Sequence, residues 1–435
     1  MLLQNRDWRV RGMASAVLVA AAALAGCGGG GGMAADNSVK APTSLPAAVA
    51  KAKSENTAVN PALVAADNTF GLSALQALQA QHTSLNMTIS PLSLSLALQI
   101  LYNGAAGTTQ QAMTQTLKLG TLTTQQINDA NAALQATLSS ADPQAQLTIA
   151  NSLWLHLHDS TIVPTFSAMD QNYYGAMIGD LAGAPDNVNA WVKDQTHGLI
   201  ASIVPKGDYS TTTAIIANAV YFKGEWTAPF DPNNTQSAPF TLSDGTSAPA
   251  HMMHQDGTFA YLRGPDFQMT SLPYGQGRMS MLIVLPDPGI SLGSLLANMS
   301  ATGLAASVGQ MQDAYGRVAL PKFTASSDSD MPAVLKAMGM GIAFSCPDSL
   351  AAGPVADFSA LTSARVCVTS VKHNAWIQVD ELGTVAAAAT TIGVGTTAVR
   401  ALQFTMNMDH PFLYAIRDDD TGALLFIGTL QDPSK

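Results

Sequence analysis

The residues Glu381 to Val399 read ELGTVAAAATTIGVGTTAV, and how they are read decides the fold. Nothing between Val385 and Val399 carries a charge, and almost every residue is Ala, Thr, Gly or a β-branched aliphatic. The alanines favour helix, but the Thr, Val and Ile content and Gly383, Gly393 and Gly395 work against a stable one. At period two, Thr384, Ala386, Ala388, Thr390, Ile392 and Val394 share one face, and Val385, Ala387, Ala389 and Thr391 share the other. Both faces are small or apolar, the pattern of a strand buried on both sides. The glycines and the following Arg400 nevertheless mark the stretch as a surface loop. Such a segment predicts an element with two states, loop and inserted strand. Its lack of charge suits it to sliding between neighbours, because a buried unpaired charge costs several kcal/mol.

The rest of the chain must supply the sheet. Apolar residues are 47% of the 435 and charged residues 11%, enough for a large core in one large domain or two to three ordinary ones. A net charge of −10 with no Lys/Arg cluster argues against nucleic acid as a partner. Three cysteines argue against a disulfide-dense scaffold and a Cys-only zinc site, and no cofactor is expected.

At the N-terminus, Arg6, Arg9 and Arg11 precede an apolar run, Met13 to Ala23, too short to span a bilayer easily. Leu24-Ala25-Gly26-Cys27 follows and is similar to a bacterial lipobox, which implies a signal peptide at 1–26 and lipidation of the Cys27 thiol. An ordinary secretory signal with a chance cysteine is the alternative. Gly28 to Gly32 are all glycine, and Ala, Ser, Asn and Pro dominate as far as Asn60, so 27–60 is expected to be a flexible tether. Gly28 after Cys27, with no Asp there, suggests an exported lipoprotein held at the outer membrane, facing the periplasm or the cell surface. That anchor is the expected membrane contact.

From Pro61 to Ala80 the spacing of Leu63, Phe70, Leu72, Leu75 and Leu78 predicts an amphipathic helix. Asn86 to Leu98 (NMTISPLSLSLAL) reads as a short strand, a Ser N-cap with Pro at the first helical position, then a buried helix. Leu147 to Leu157 is a strand, and Asn187 to Val204 has helical periodicity. Ala214 to Phe230 (AIIANAVYFKGEWTAPF) reads as a central strand, a Lys-Gly turn and an aromatic anchor at Trp226. Met279–Pro286 and Arg317–Phe323 are buried strands, Met331–Met340 a short helix, and Val366–Asp380 a long strand leading into the opening stretch. Two apolar strands joined by an Asp-rich turn close the chain.

Several of these segments, in this order, resemble the serpins, inhibitors of serine and cysteine proteases. The strongest are Asp380 to Thr390 (DELGTVAAAAT), the NMTISPLSLSLALQILYNGAAGTT segment, AIIANAVYFKGEWTAPF and the C-terminal strands. The resemblance covers about residue 61 to 435. It implies an α+β serpin fold: a large mixed central β-sheet, further sheets, surrounding helices and an exposed reactive-centre loop. It further implies a monomer whose partner is a target serine protease, with cysteine proteases as a further class, held in a covalent complex. The protein is then a suicide substrate and not an enzyme. The rival is a non-inhibitory serpin-fold binding module on the cell surface.

Site roles follow from the same resemblance. Glu381, Gly383, Thr384, Val385, Ala386, Ala387, Ala388, Ala389 and Thr390 match the hinge. Val385 stands where the family often has an acidic residue and Leu382 replaces another, departures not expected to prevent insertion, since Val is a good strand former. Ser90, Ser93, Asn218 and His373 match the polar cluster behind the point where the two central strands part (the shutter). Trp226 matches the anchor where the loop enters (the breach). The family's spacing from Glu381 puts the reactive bond at Thr397-Ala398, with Arg400-Ala401 as the alternative.

Three other patterns need weighing. Gly289-Ile290-Ser291-Leu292-Gly293 fits a nucleophile elbow, with Asp313 and His373 downstream, but Asp287-Pro288 separates it from its strand, so Ser291 reads as a helix N-cap. His251 and His254 look like a metal pair, yet residues three apart on a strand face opposite ways, so no metal site is expected. Cys346 and Cys367 are expected to form a disulfide in an exported protein, worth about 3 kcal/mol in the entropic account, against an alternative of two buried thiols.

Overall fold

The structure is a computed structural model that describes residues 45–82, 86–139, 142–156, 161–196, 198, 200–346, 354–384 and 400–435. Its helices are α1 (Ala47–Glu55), α2 (Pro61–Gln81), α3 (Pro91–Gly104), α4 (Gly107–Thr116), α5 (Thr124–Leu138), α6 (Pro164–Tyr173), α7 (Asp186–Gln195), α8 (Leu292–Ala297), α9 (Ala301–Val308) and α10 (Pro332–Leu335). The first eight strands are β1 (Met87–Ile89), β2 (Ala145–Leu155), β3 (Met177–Asp180), β4 (Ala214–Glu225), β5 (Gln236–Thr241), β6 (Ser247–Arg263), β7 (Phe267–Tyr274) and β8 (Met279–Pro286). The remainder are β9 (Gln312–Pro321), β10 (Phe323–Asp330), β11 (Ser370–Val379), β12 (Gly383–Thr384), β13 (Phe404–Asn407), β14 (Phe412–Asp418) and β15 (Leu424–Leu430).

They form two sheets. One has six strands in the order β10-β11-β12-β4-β2-β3, with β11 also paired directly to β4. The other runs β1-β15-β14-β8-β7-β6-β9-β13, with β5 beside β6. Helix α3 touches β2 and β4 of the first sheet and β15 of the second, so it is buried between them. Its apolar run explains that position. Leu92, Leu94, Leu96, Leu98, Ile100 and Leu101 are all at most 4% exposed, a helix hydrophobic on every face. Its start is set by Ser90, whose Oγ accepts from the Ser93 N–H at 3.2 Å, with Pro91 at the first helical position. Asn60 and Pro61 begin α2 in the same way.

Several expected boundaries shift for local reasons. The helical pattern of Asn187–Val204 yields helix only to Gln195. Beyond it Gly198 takes φ +84° and donates to the Lys193 carbonyl, which closes the helix end. The Asn189 side chain then holds Ile203 and Val204 as irregular chain. Arg317–Phe323 is not one strand. The chain leaves β9 at Pro321 and enters β10 of the other sheet at Phe323, so Lys322 sits at a corner between sheets. The expected strand from Val366 begins only at Ser370.

The tether was expected to run to Asn60, but the chain is folded from Ala47. Val49 and Ala52 of α1 are 0% and 8% exposed and pack on Ala132 and Ala136 of α5. Residues 45–60 carry too few large apolar residues to predict this, because the partner surface is made of alanines. Cys27 and the rest of 1–44 lie outside the described residues. A chain beginning at Asn60 is expected to be about 2 kcal/mol less stable than one beginning at Leu45, the value of a buried Val with part of an Ala. Urea unfolding of the two forms checks this, and equal midpoints would contradict it.

Candidate functional site

Strands β4 and β11 run parallel and are paired from Ser370 opposite Ile215 to Trp376 opposite Tyr221. Above that point they part. The chain turns after β11 through Asp380–Leu382 and re-enters between them, with Gly383 opposite Glu225 and Thr384 opposite both Gly224 and Val379. The seam is thus closed below and held apart at its top by Gly383 and Thr384. Gly383 has φ +152°, and a Cβ there would run into the Gly224 carbonyl, so a side chain at this position would block entry.

Neighbours grip the turn from three sides. The Trp226 indole N–H donates to the Asp380 carbonyl at 2.9 Å, and its backbone N–H donates to Leu382 O at 2.8 Å. The Phe230 N–H donates to Glu381 O at 2.8 Å. Trp226 stacks on Tyr274 with centroids 4.4 Å apart, and the Tyr274 and Thr384 hydroxyls are 2.7 Å apart inside the core. The Glu381 carboxylate meets Lys322 Nζ at 2.8 Å and accepts from Thr235 Oγ1 at 2.8 Å. Burial pushes that carboxyl up, but the Lys322 and Thr235 bonds outweigh it, and the net shift is downward. The corner position of Lys322 thus brings a cation to the Asp380–Leu382 turn.

Halfway down the seam lie Ser90, Ser93, Asn218 and His373, brought together and fully buried. His373 and Asn218 are register partners across the strands. The Ser90 N–H can only donate, so His373 Nε2 accepts it, at 3.0 Å. The proton is therefore on Nδ1, which donates to Asn218 Oδ1 at 2.6 Å. That leaves the Asn218 amide to donate to Ser93 Oγ and to Asn151 Oδ1, both at 2.6 Å. This assignment needs a neutral imidazole, and burial pushes the His373 pKa down to about 3. At the bottom, Cys346 and Cys367 are bridged with Cα atoms 4.9 Å apart. The Thr213 hydroxyl donates to Cys367 O at 2.6 Å, and Thr369 bonds Ala214 in both directions.

The remaining candidates fall elsewhere. Ser291 caps α8 by accepting from the Ser294 N–H at 3.1 Å, and His373 is engaged in the seam, so no triad forms from them. His251 is exposed and His254 half-buried on β6, with the buried Met252 and Met253 between them. Arg400 lies over the Tyr315 ring, its guanidinium carbon 4.7 Å from the centroid. Val385, Ala386, Ala387, Ala388, Ala389, Thr390, Thr397 and Ala398 lie outside the described residues, whereas Ala401 is described and exposed. Sequence reasoning missed Tyr274, Lys322, Thr235 and Asn151. The Asn in an apolar strand and the lone Lys in RVALPKF were the available signals, while Tyr274 offered none.

The family model described as Serpin (serine protease inhibitor) matches residues 65–433. The chain belongs to the serpin family. Over 380 residues it is 31% identical to Serpin B9 of Homo sapiens, covering 85% of this chain and 98% of that one. An uncharacterised serpin-like protein of Thermococcus kodakarensis is 33% identical over 361 residues, 80% of this chain and 81% of its own. Among solved structures, the native state of the thermophilic serpin tengpin aligns with a TM-score of 0.79 at 27% identity, covering 86% of this chain and 95% of that one. Human thyroxine-binding globulin with its bound ligand aligns at 0.76 and 24% identity, over 86% and 99%, a likeness of fold alone. The six-stranded sheet is therefore the large mixed sheet of a serpin. Members are generally inhibitors rather than enzymes, and the kind of partner is a target protease.

The neutral His373 makes the stability of this serpin depend on pH. Its folded pKa lies below the unfolded value near 6.5, so only the unfolded chain binds this proton as pH falls from 6.5 toward 3. Stability from this group is present above 6.5 and is lost below it, at up to about 1.4 kcal/mol per pH unit. Asp67 and Asp170, raised by burial to about 7, act in the opposite direction between pH 4 and 7, so a mutant difference is needed. The gap in urea midpoint between the native protein and His373→Asn should shrink as pH falls from 7 to 4. A gap independent of pH would contradict the neutral assignment.

Proposed function

We propose that this serpin inhibits serine proteases as a suicide substrate, with the stretch from Val385 onward as the reactive loop. The observation that carries this is the seam, already entered at its top by Gly383 and Thr384 and held below by bonds between side chains. Each further residue of the loop moves one position back along β4 and β11 together. Six steps bring Thr390 between Asn218 and His373, and four more bring Val394 level with Ala214, where β4 begins. Thr390 shares the face of Thr384, whose hydroxyl meets Tyr274 in the core. A Thr hydroxyl arriving there both donates and accepts, and it replaces the bond that His373 and Asn218 lose when they part.

The chemistry is the protease's own. Its serine Oγ attacks the carbonyl carbon of Thr397, the C–N bond to Ala398 breaks, and the new amine leaves with a proton from the catalytic histidine. An ester joins Thr397 to the enzyme. The freed arm inserts before water reaches that ester, and the covalent complex persists. Arg400-Ala401 is the alternative bond, and cysteine proteases, which would form a thioester, are the alternative target class. In this reading the protein is no enzyme. The Leu24-Ala25-Gly26-Cys27 motif supports an exported lipoprotein, held by Cys27 at the outer membrane.

The second reading is a binding module that does not inhibit, since the same fold is found in thyroxine-binding globulin, whose structure was solved with its ligand. Incubation with subtilisin, elastase and trypsin separates the two. Inhibition predicts a complex that survives denaturing gels and a C-terminal peptide starting at Ala398. Clean cleavage by all three with no complex, and no gain in melting temperature afterwards, would sink it. The substitution Ala388→Arg should convert the protein from inhibitor to substrate, because the core-facing strand position would bury an unpaired charge at several kcal/mol. The gel would then show cleaved protein at the expense of complex.

A further inference from the structure

We infer that Arg400 is a distal anchor of the loop and not the side chain offered to a protease's specificity pocket. Resting on the inhibitory reading, this narrows the targets to proteases that accept small uncharged residues. Arg400 is the lone cation beyond an uncharged stretch, which makes it look like bait for a trypsin-like enzyme. Its surroundings indicate otherwise. The guanidinium carbon sits 4.7 Å above the centroid of Tyr315 on β9. Three residues on, Gln403 grips the same tyrosine by its backbone, its N–H donating to Tyr315 O at 2.8 Å and its Oε1 accepting the Tyr315 N–H at 2.7 Å.

The next residue completes the attachment. Phe404 opens β13 opposite Gly316, where the missing Cβ leaves room for its ring. That ring stacks on Tyr261 at 3.9 Å and meets Phe259 edge-on at 6.2 Å. Between the cation and the Gln403 grip lie only Ala401 and Leu402.

A protease binds the residues on both sides of a scissile bond as an added strand, using their backbone groups and side chains. Cutting Arg400-Ala401 therefore requires Arg400 to leave the ring and Gln403 to release both bonds to Tyr315. A bond further toward the N-terminus makes neither demand. The same contacts keep the C-terminal side of a cleaved loop on the rim of the second sheet while the other side moves.

The test is the rate at which trypsin releases a peptide beginning at Ala401, read by mass. Tyr315→Ala removes the ring, Tyr315→Phe keeps it, and Gln403→Ala removes the side-chain acceptor with the ring intact. Tyr315→Ala should raise the rate about 2- to 5-fold, the size of an exposed cation–π contact. Tyr315→Phe should leave it unchanged, and Gln403→Ala should raise it. Equal rates in Tyr315→Ala, Gln403→Ala and the native protein would overturn the proposal. So would a denaturant-stable trypsin complex of the native protein whose released peptide begins at Ala401. Subtilisin complexes measured on the same samples judge the inhibitory reading separately, since trypsin rates report the anchor whether or not trapping occurs.

Discussion

The bond from His373 Nδ1 to Asn218 Oδ1 crosses the middle of a seam between two parallel strands, and the behaviour of the sheet depends on it. An apolar contact at this point would be held by packing alone and would leave nothing to satisfy when the strands separate. A hydrogen bond between buried groups differs, because each partner must find another once it is broken. The surroundings supply partners on the closed side, Ser90 on the imidazole and Ser93 with Asn151 on the amide. The imidazole is kept neutral, so breaking the bond strands a dipole and not a charge. On the inhibitory reading proposed above, the seam is held firmly enough to stay shut and loosely enough to open for a strand with a hydroxyl at the right place.

The two ends of the seam are built differently. The bottom is fixed by the Cys346–Cys367 bridge, by Thr213 on the Cys367 carbonyl and by the reciprocal Thr369–Ala214 bonds. The top is held apart by Gly383 and Thr384, with Trp226, Phe230 and Lys322 fixing the turn from outside. In the proposed mechanism, opening would run from the wedge downward. The two sides of the seam also differ in packing. Trp154, Val188, Trp191 and Ile215 form a separate core beneath α7, on the side of β2 and β4. β11 is paired with β10 from Lys372 to Val379, and the disulfide ties Cys367, just before β11, to Cys346.

Much of this was legible before any coordinates. AIIANAVYFKGEW announced the central strand and its aromatic anchor, because burial on both faces leaves an unbroken apolar run, and of the stretch from Glu381 the described residues Gly383 and Thr384 are strand. Ser90 and Pro91 marked a helix start that does occur there, since capping is local chemistry. What failed to show was whatever depends on partners distant in sequence. The corner at Lys322 looked like one strand because a change of sheet leaves no mark in the alternation. Tyr274 lies 110 residues from Thr384, and its stacking on Trp226 has no periodic signature. Helix α1 was read as tether because alanines on α5 serve it as well as larger residues would. The contact of Arg400 with the Tyr315 ring likewise joins positions far apart in the chain and leaves no mark in the sequence pattern.

Hydrogen exchange across the loop and the seam, before and after a single cut in the loop, bears most directly on the central claim. The account predicts that amides from Val385 to Val394 exchange freely in the intact protein and become as protected as those of β11 once the loop is cut. If those amides still exchange freely after cleavage, while β4 and β11 keep their original protection, the sheet does not accept the strand and the account is wrong.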